Sequence, residues 1–208
     1  MRLFILTRHA HSTLNVESRV NGDPSVYVPL TEDGRQEAAR LGLQLANVPI
    51  AICIHTRFRR TLETAQIALA GRDVPFLEEP LLDDIDVGEL EGETLDEYRA
   101  WKKAHPRSEP FPGGESLDDA ARRYSRAFTR LLERSEATML VACHEIPIRY
   151  ALNAAAGSPD LDGPAHAIPN ATPYLFAEPA LRRAAAHIDE LLSAEGPTAV
   201  DSEKSNPR

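Results

Sequence analysis

Cysteine is scarce in this 208-residue sequence: there are two, Cys53 and Cys143, with no CxxC pair. That excludes a disulfide framework and a paired redox motif, and both fall inside apolar runs that read as buried strands holding reduced thiols. Long apolar runs are absent as well, and nothing approaches the length of a membrane span. The stretch Leu3 to Leu6 is too short for a signal peptide and meets Arg8 and His9 at once, so a cytoplasmic protein is expected. Basic charge is in deficit, with 23 Lys and Arg against 32 Asp and Glu and a formal charge of -9. This argues against a nucleic-acid or membrane partner, both polyanionic surfaces, but not against a small phosphorylated substrate, because a few arginines in one cleft oppose the global sign locally. The seven histidines lack paired spacing such as H-x-x-x-H, so no metal and no other cofactor is expected. No internal repeat is found, and nothing in the chain reports oligomeric state.

What is present is an alternation. Leu3 to Thr7, Ile50 to His55, Pro75 to Leu77 and Thr138 to Cys143 read as strands. Between them lie helical patterns: Thr31 to Ala46, with Thr31 as cap and Ala38, Leu41 and Leu45 on one face, then Arg57 to Ala70, then Glu145 to Ala156 with Pro147 tolerated in its first turn. The expected fold is α/β, a three-layer sandwich whose mostly parallel central sheet carries helices on both faces. One domain is expected over 1–194. Its excursion over 82–116 holds a helix at Leu95 to Ala104 and a loop rich in proline and glycine, then Ser116 and Asp119 cap a helix reaching about Arg134. An excursion that long belongs over a functional site. Tyr174 to Phe176 reads as a strand. The segment 180–192 is helical by composition, with Leu181, Ile188 and Leu192 on one face, and 195–208 reads as a disordered tail.

Ligands of an open parallel sheet sit beyond the carboxyl ends of its strands. There the first strand ends in Arg8 and His9, the second leads into the helix bearing Arg60, and the strand at Thr138 ends in His144. Arginine clamps phosphate with a planar fork and stays charged. Imidazole is among the few side chains able to carry a phosphoryl group at neutral pH, and a neighbouring arginine biases it toward the neutral, nucleophilic form. Each residue alone says little. Together, in order and at the ends of suitable elements, they suit phosphoryl transfer.

The motifs resemble those of the histidine phosphatase superfamily, which includes the cofactor-dependent phosphoglycerate mutases. R-H-A-H-S-T-L-N, Arg8 to Asn15, is similar to its opening signature. Matching pieces follow in order: Arg19 to Gly22, Pro29-Leu30-Thr31 with Gly34 and Ala38, Thr56 to Ala65, D-I-D-V-G-E-L-E-G at Asp84 to Gly92, P-G-G-E-S at Pro112 to Ser116, Val141 to His144, and Asn170 to Thr172. The resemblance implies a phosphoglycerate mutase-like fold, with His9 as nucleophile and Asp84 as general acid; in the acidic run itself Asp86 is the chief competitor for that role. It implies Arg8, Arg60 and His144 around the phosphoryl oxygens, Asn15 assisting, and Asn21 as a substrate contact. It also favours a returning strand over 180–192, against composition, and the two readings stay open.

Asp83, Asp86, Glu89 and Glu91 crowd Asp84, and like charges raise a carboxyl pKa, which suits a proton donor. The departures are Ala10 for Gly, His11 for an acidic or amide residue, Asp for Glu at 84, and Glu145 after His144, where Gly is common. The last places a negative charge near the pocket. The expected activity is hydrolysis of a small phosphomonoester through phosphohistidine. A phosphoglycerate mutase is the first alternative, although such mutases carry a longer excursion. A protein phosphohistidine phosphatase and a catalytically silent binding module are the others, the last opposed by retention of Arg8, His9, Arg60 and His144. Tyr98, Trp101 and Lys102 of the excursion and the loop Arg19 to Tyr27 are the expected sources of specificity.

Overall fold

A computed structural model describes residues 2–194 of the chain. Five strands form one sheet in the order β3-β2-β4-β1-β5: β1 is Leu3–Arg8, β2 Ile52–His55, β3 Phe76–Glu78, β4 Thr138–Cys143 and β5 Pro173–Ala177. Strands β1, β4, β2 and β3 are mutually parallel, and β5 joins β1 antiparallel, with Phe4 opposite Phe176.

The side-chain alternation of the strands builds the two cores. Phe4, Leu6, Ile52, Ile54, Met139 and Val141 point to one face. There they meet α5 (Leu117–Glu133), α6 (Glu145–Ala155) and α7 (Glu178–Ala194). Ile5, Cys53, Leu140 and Ala142 point to the other, against α2 (Glu32–Gln44) and α3 (Arg59–Ala68). Strands buried on both sides read as continuous apolar runs, which is how β1 and β4 announce themselves. The three-layer expectation holds. Both cysteines are free and buried, as read.

Local chemistry sets the helix starts. Thr31 accepts from the Gly34 amide, and Thr94 and Ser116 form capping boxes with Glu97 and Asp119. Over 180–192 composition prevails: α7 is one helix from Glu178, and the returning strand that the resemblance favours does not occur. Leu181, Ala184, Ala185, Ile188 and Leu192 form its buried stripe, against α5 and α6. A single 3-10 turn, Pro80–Leu82, leads into the excursion, which holds a second, Gly88–Leu90, and α4 (Leu95–Ala104). A four-residue helix, α1 (Thr13–Val16), was not legible in the sequence. Residues 195–208, read as a disordered tail, lie outside the described residues. Among the described residues no helix is long and apolar enough to cross a membrane.

Candidate active site

The carboxyl ends of β1, β4 and β2 converge on one cavity of about 340 Å³. Arg8, His9, Asn15, Asn21, Arg60 and Asp84 line it. His144 lies directly behind them: its ring centroid is 5.5 Å from that of His9, and its Nδ1 is 3.3 Å from Asp84 Oδ2. The residues named from the sequence are therefore brought together, although they span more than half the chain.

The partners of His9 fix its protonation. Its Nδ1 stands 2.8 Å from the carbonyl oxygen of Ala10, which can only accept, so Nδ1 carries the hydrogen. The lone pair is then on Nε2, where it accepts from Arg60 Nε at 3.0 Å. Burial, followed by the positive charges of Arg60 and Arg8, holds the imidazole pKa well below its ordinary value. Both contacts and the lowered pKa favour the neutral ring. Its backbone is pinned as well: the amide of His9 donates to Cys143 O at 2.9 Å, and Asn170 Nδ2 donates to His9 O at 2.7 Å.

Arg60 is the hub. It is nearly buried, sits over the Phe58 ring at 4.3 Å, and donates to His9, to Asn21 and to Asp84 Oδ2 at 3.1 Å. Desolvation lowers its pKa, but an arginine begins so high that it stays cationic. Asn21 grips it twice, Oδ1 accepting from Nη1 and the backbone carbonyl accepting from Nη2 at 3.1 Å. Asn21 Nδ2 in turn donates to Glu91 at 2.6 Å and to Asp23 O at 3.0 Å. The Asn21 side chain is thus committed to holding Arg60. Its turn lies so close to the acid segment that a Cβ on Gly22 would meet Ile85 O at 2.0 Å.

His144 is fully buried. Its Nε2 bonds Thr56 Oγ1 at 3.0 Å, and Thr56 Oγ1 lies 2.8 Å from Thr61 Oγ1. Burial first, then Arg60 and His9, lowers its pKa well below the usual value. Asn15 Oδ1 accepts from the amide and hydroxyl of Ser12, both at 3.0 Å, and Asn15 Nδ2 donates to no protein group among the described residues.

Asp84 has a raised pKa, but not for the reason read from the sequence. Desolvation is the leading cause, Arg60 opposes it, and the carboxylate that adds to it is Glu145. The acidic neighbours in the chain turn elsewhere. Asp83 pairs with Arg57, Asp86 accepts from the Gly88 amide, and Glu91 holds the 21–23 turn. Asp86, the competitor for the acid role, is exposed and does not line the cavity. Glu145 does line it, and pairs with Arg8 Nη1 at 3.0 Å.

Thr56 and Thr61, which hold His144, and Glu91, which holds the 21–23 turn, were not legible in the sequence. A buried hydroxyl, or a carboxylate that grips a turn, has no sequence signature apart from its place in the fold. Arg123, which donates to the carbonyls of Leu81, Asp83 and Asp84 and so shapes the acid segment, was missed for the same reason.

Residues 4–177 match the histidine phosphatase superfamily (branch 1). A 2,3-bisphosphoglycerate-dependent phosphoglycerate mutase of Gloeobacter violaceus is 35% identical over 167 residues, 73% of this chain and 74% of that protein. A human 6-phosphofructo-2-kinase/fructose-2,6-bisphosphatase is 31% identical over 189 residues, which cover 84% of this chain and 38% of that longer protein. Among solved structures, YhfR of Bacillus stearothermophilus superposes with a TM-score of 0.73 at 29% identity, covering 85% of this chain and 91% of that one.

Proposed function

The chain belongs to the histidine phosphatase superfamily, and from that premise we propose that it is a phosphomonoester hydrolase working through phosphorylated His9 on a small phosphorylated metabolite. The observation that carries the proposal is the state of His9: neutral, its Nδ1 hydrogen tied to a carbonyl, its Nε2 lone pair directed at a guanidinium beside the cavity.

In the first half-reaction the phosphoryl group of the ester takes over donors of Arg60 and Arg8, and Arg60 Nε–H leaves the imidazole for a phosphoryl oxygen. His9 Nε2 then attacks phosphorus, and the bond to the leaving oxygen breaks opposite it. Asp84 gives its proton to that oxygen, and burial, which raises its pKa, favours the protonated form this step needs. The Nδ1–H bonded to Ala10 O supports the positive charge that develops on the ring. Arg8, Arg60 and His144 stabilise the charge on the non-bridging oxygens, with Asn15 Nδ2 as an additional donor. In the second half-reaction water attacks phosphorus, Asp84 accepts its proton, and phosphate leaves with His9 restored.

The identity to a phosphoglycerate mutase favours one second reading, in which the same phosphohistidine returns its phosphoryl group to a bound acid rather than to water. Hydrolysis of an aryl phosphate in the presence of a chelator, with and without His9→Ala, tests the first reading. The expected result is turnover that persists with chelator and is lost in the variant; turnover that survives the variant defeats the proposal. Conversion of 3-phosphoglycerate to 2-phosphoglycerate outpacing release of phosphate would favour the mutase.

A further inference from the structure

One carboxylate of the cavity has no part in the two half-reactions. Glu145 lines the cavity together with Arg8, His9 and Asp84. It is the first residue of α6, directly after His144, so the strand end that delivers the buried imidazole also delivers this side chain. A helix start favours an acidic side chain, because the free amides of the first turn carry partial positive charge. Glu145 Oε2 lies 3.0 Å from Arg8 Nη1, and Oε1 lies 3.4 Å from Nη1 of Arg149, one turn further along α6. The carboxylate thus bridges two guanidinium groups, and Arg8 is the one that serves the phosphoryl group.

Arg8 Nη1 donates to Ile168 O at 2.9 Å and also faces Glu145, while Arg8 Nε is buried with no partner among the described residues. A phosphoryl group that engages Arg8 therefore meets Glu145 on the same guanidinium. Two anions side by side in a half-buried cavity repel, and one arginine does not neutralise both. The charge of Glu145 is felt across the cavity, since it adds to the raised pKa of Asp84. The pair with Arg8 is also easily opened. Its side chains are 20% and 33% exposed, and Arg149 remains as a partner for the carboxylate when Arg8 is taken.

We propose that Glu145 is an internal competitor for the phosphoryl site: its carboxylate and a bound phosphate exchange on Arg8, and the exchange weakens the grip of the site on the phosphate that the second half-reaction leaves behind. This rests on the hydrolase reading and adds to it how the last product departs. Arg8 and Arg60 together hold phosphate firmly, and a hydrolase must release it in every turnover. An ion pair this exposed is worth at most about fivefold in an equilibrium constant, and like-charge repulsion adds to it, so the expected effect is about five- to tenfold.

Titration calorimetry of the full chain with inorganic phosphate tests the proposal and needs no turnover. Glu145→Gln keeps the length of the side chain and an acceptor oxygen but removes the charge. It is expected to bind phosphate about five- to tenfold more tightly than wild type, and the inhibition constant of phosphate against aryl phosphate hydrolysis is expected to fall by the same factor. Glu145→Asp keeps the charge and is expected to stay within about threefold of wild type. The sign separates competition from a structural role, because a distorted or partly unfolded site binds phosphate more weakly. Phosphate bound by Glu145→Gln no more tightly than by wild type, or a gain that Glu145→Asp reproduces in full, overturns the inference; turnover of the aryl phosphate by wild type then leaves the hydrolase reading standing. If wild type neither binds phosphate nor hydrolyses the ester, both fall.

Discussion

Replacing Glu91 with alanine removes a group about 70 residues along the chain from the turn it controls, and the effect on catalysis can be worked out in advance. Its carboxylate accepts from Asn21 Nδ2 and the Gly22 amide, each at 2.6 Å, and from the Asp23 amide at 3.1 Å. Hydrogen bonds to a charged acceptor contribute about 1.5–3 kcal/mol each, but these are half-buried and water replaces part of the loss. A net loosening of the turn by about 2 kcal/mol is a reasonable total. The turn matters because Asn21 holds both terminal nitrogens of Arg60. If that loosening is felt in the transition state, kcat/KM for an aryl phosphate falls about 30-fold. Inhibition by inorganic phosphate weakens in parallel, since the same guanidinium binds it. Glu91→Gln, which keeps one acceptor oxygen, falls between. The assay is steady-state kinetics alongside thermal denaturation. A lower Tm with kcat/KM changed by less than about threefold would refute the reasoning, because Glu91 would then support the fold without positioning Arg60.

Other consequences follow from the same geometry. Thr56→Val leaves His144 Nε2 without a partner in a fully buried site and is expected to cost about 1–3 kcal/mol in denaturant unfolding. Gly22→Ala forces a methyl onto Ile85 O and is expected to destabilise the fold and depress activity together, measured by Tm and kcat/KM. Asp84 acts as acid only while protonated, so kcat/KM is expected to fall as pH rises through its raised pKa, and Asp84→Asn is expected to abolish that limb while lowering the rate. Stability should depend on pH through the two buried imidazoles. Their folded pKa values lie below the unfolded value of about 6.5, so the unfolded chain binds more protons below that pH. Stability is then full above about pH 6.5 and declines by up to about 1.4 kcal/mol per pH unit for each histidine as pH falls below it. Asp83 and Asp84, whose pKa values are raised, act in the opposite direction at pH values above about 3.8. Denaturant midpoints measured from pH 7.5 to 5.5, for wild type and His9→Asn, check the slope and its reduction.

The parts of the fold legible in the sequence are those set by local pattern. β1 and β4 show as apolar runs because both of their faces are covered, and α2 and α5 show through a cap and a periodic stripe. For α7 the composition of the segment was the better guide. Pairing of Phe176 with Phe4 already completes the sheet edge with β5, and the Leu181 to Leu192 stripe is then needed to cover a face. Arg8, His9 and His144 were legible because strand ends predict where side chains meet. The surroundings of Asp84 were not. A run of acids in sequence gives their number but not their direction, and in the fold Asp83, Asp86 and Glu91 each point at a different partner. The four-residue α1 depends on tertiary contacts, including the bridge of Ser12 to Leu30, that no local pattern announces.

The most direct test of the account is to quench the protein in mid-turnover with a phosphoester labelled in its phosphoryl group and map the label. The account predicts one acid-labile, base-stable phosphate per active chain, on Nε2 of His9, absent in His9→Ala. Label on any other side chain, or steady turnover without a labelled protein and undiminished by His9→Ala, would contradict it.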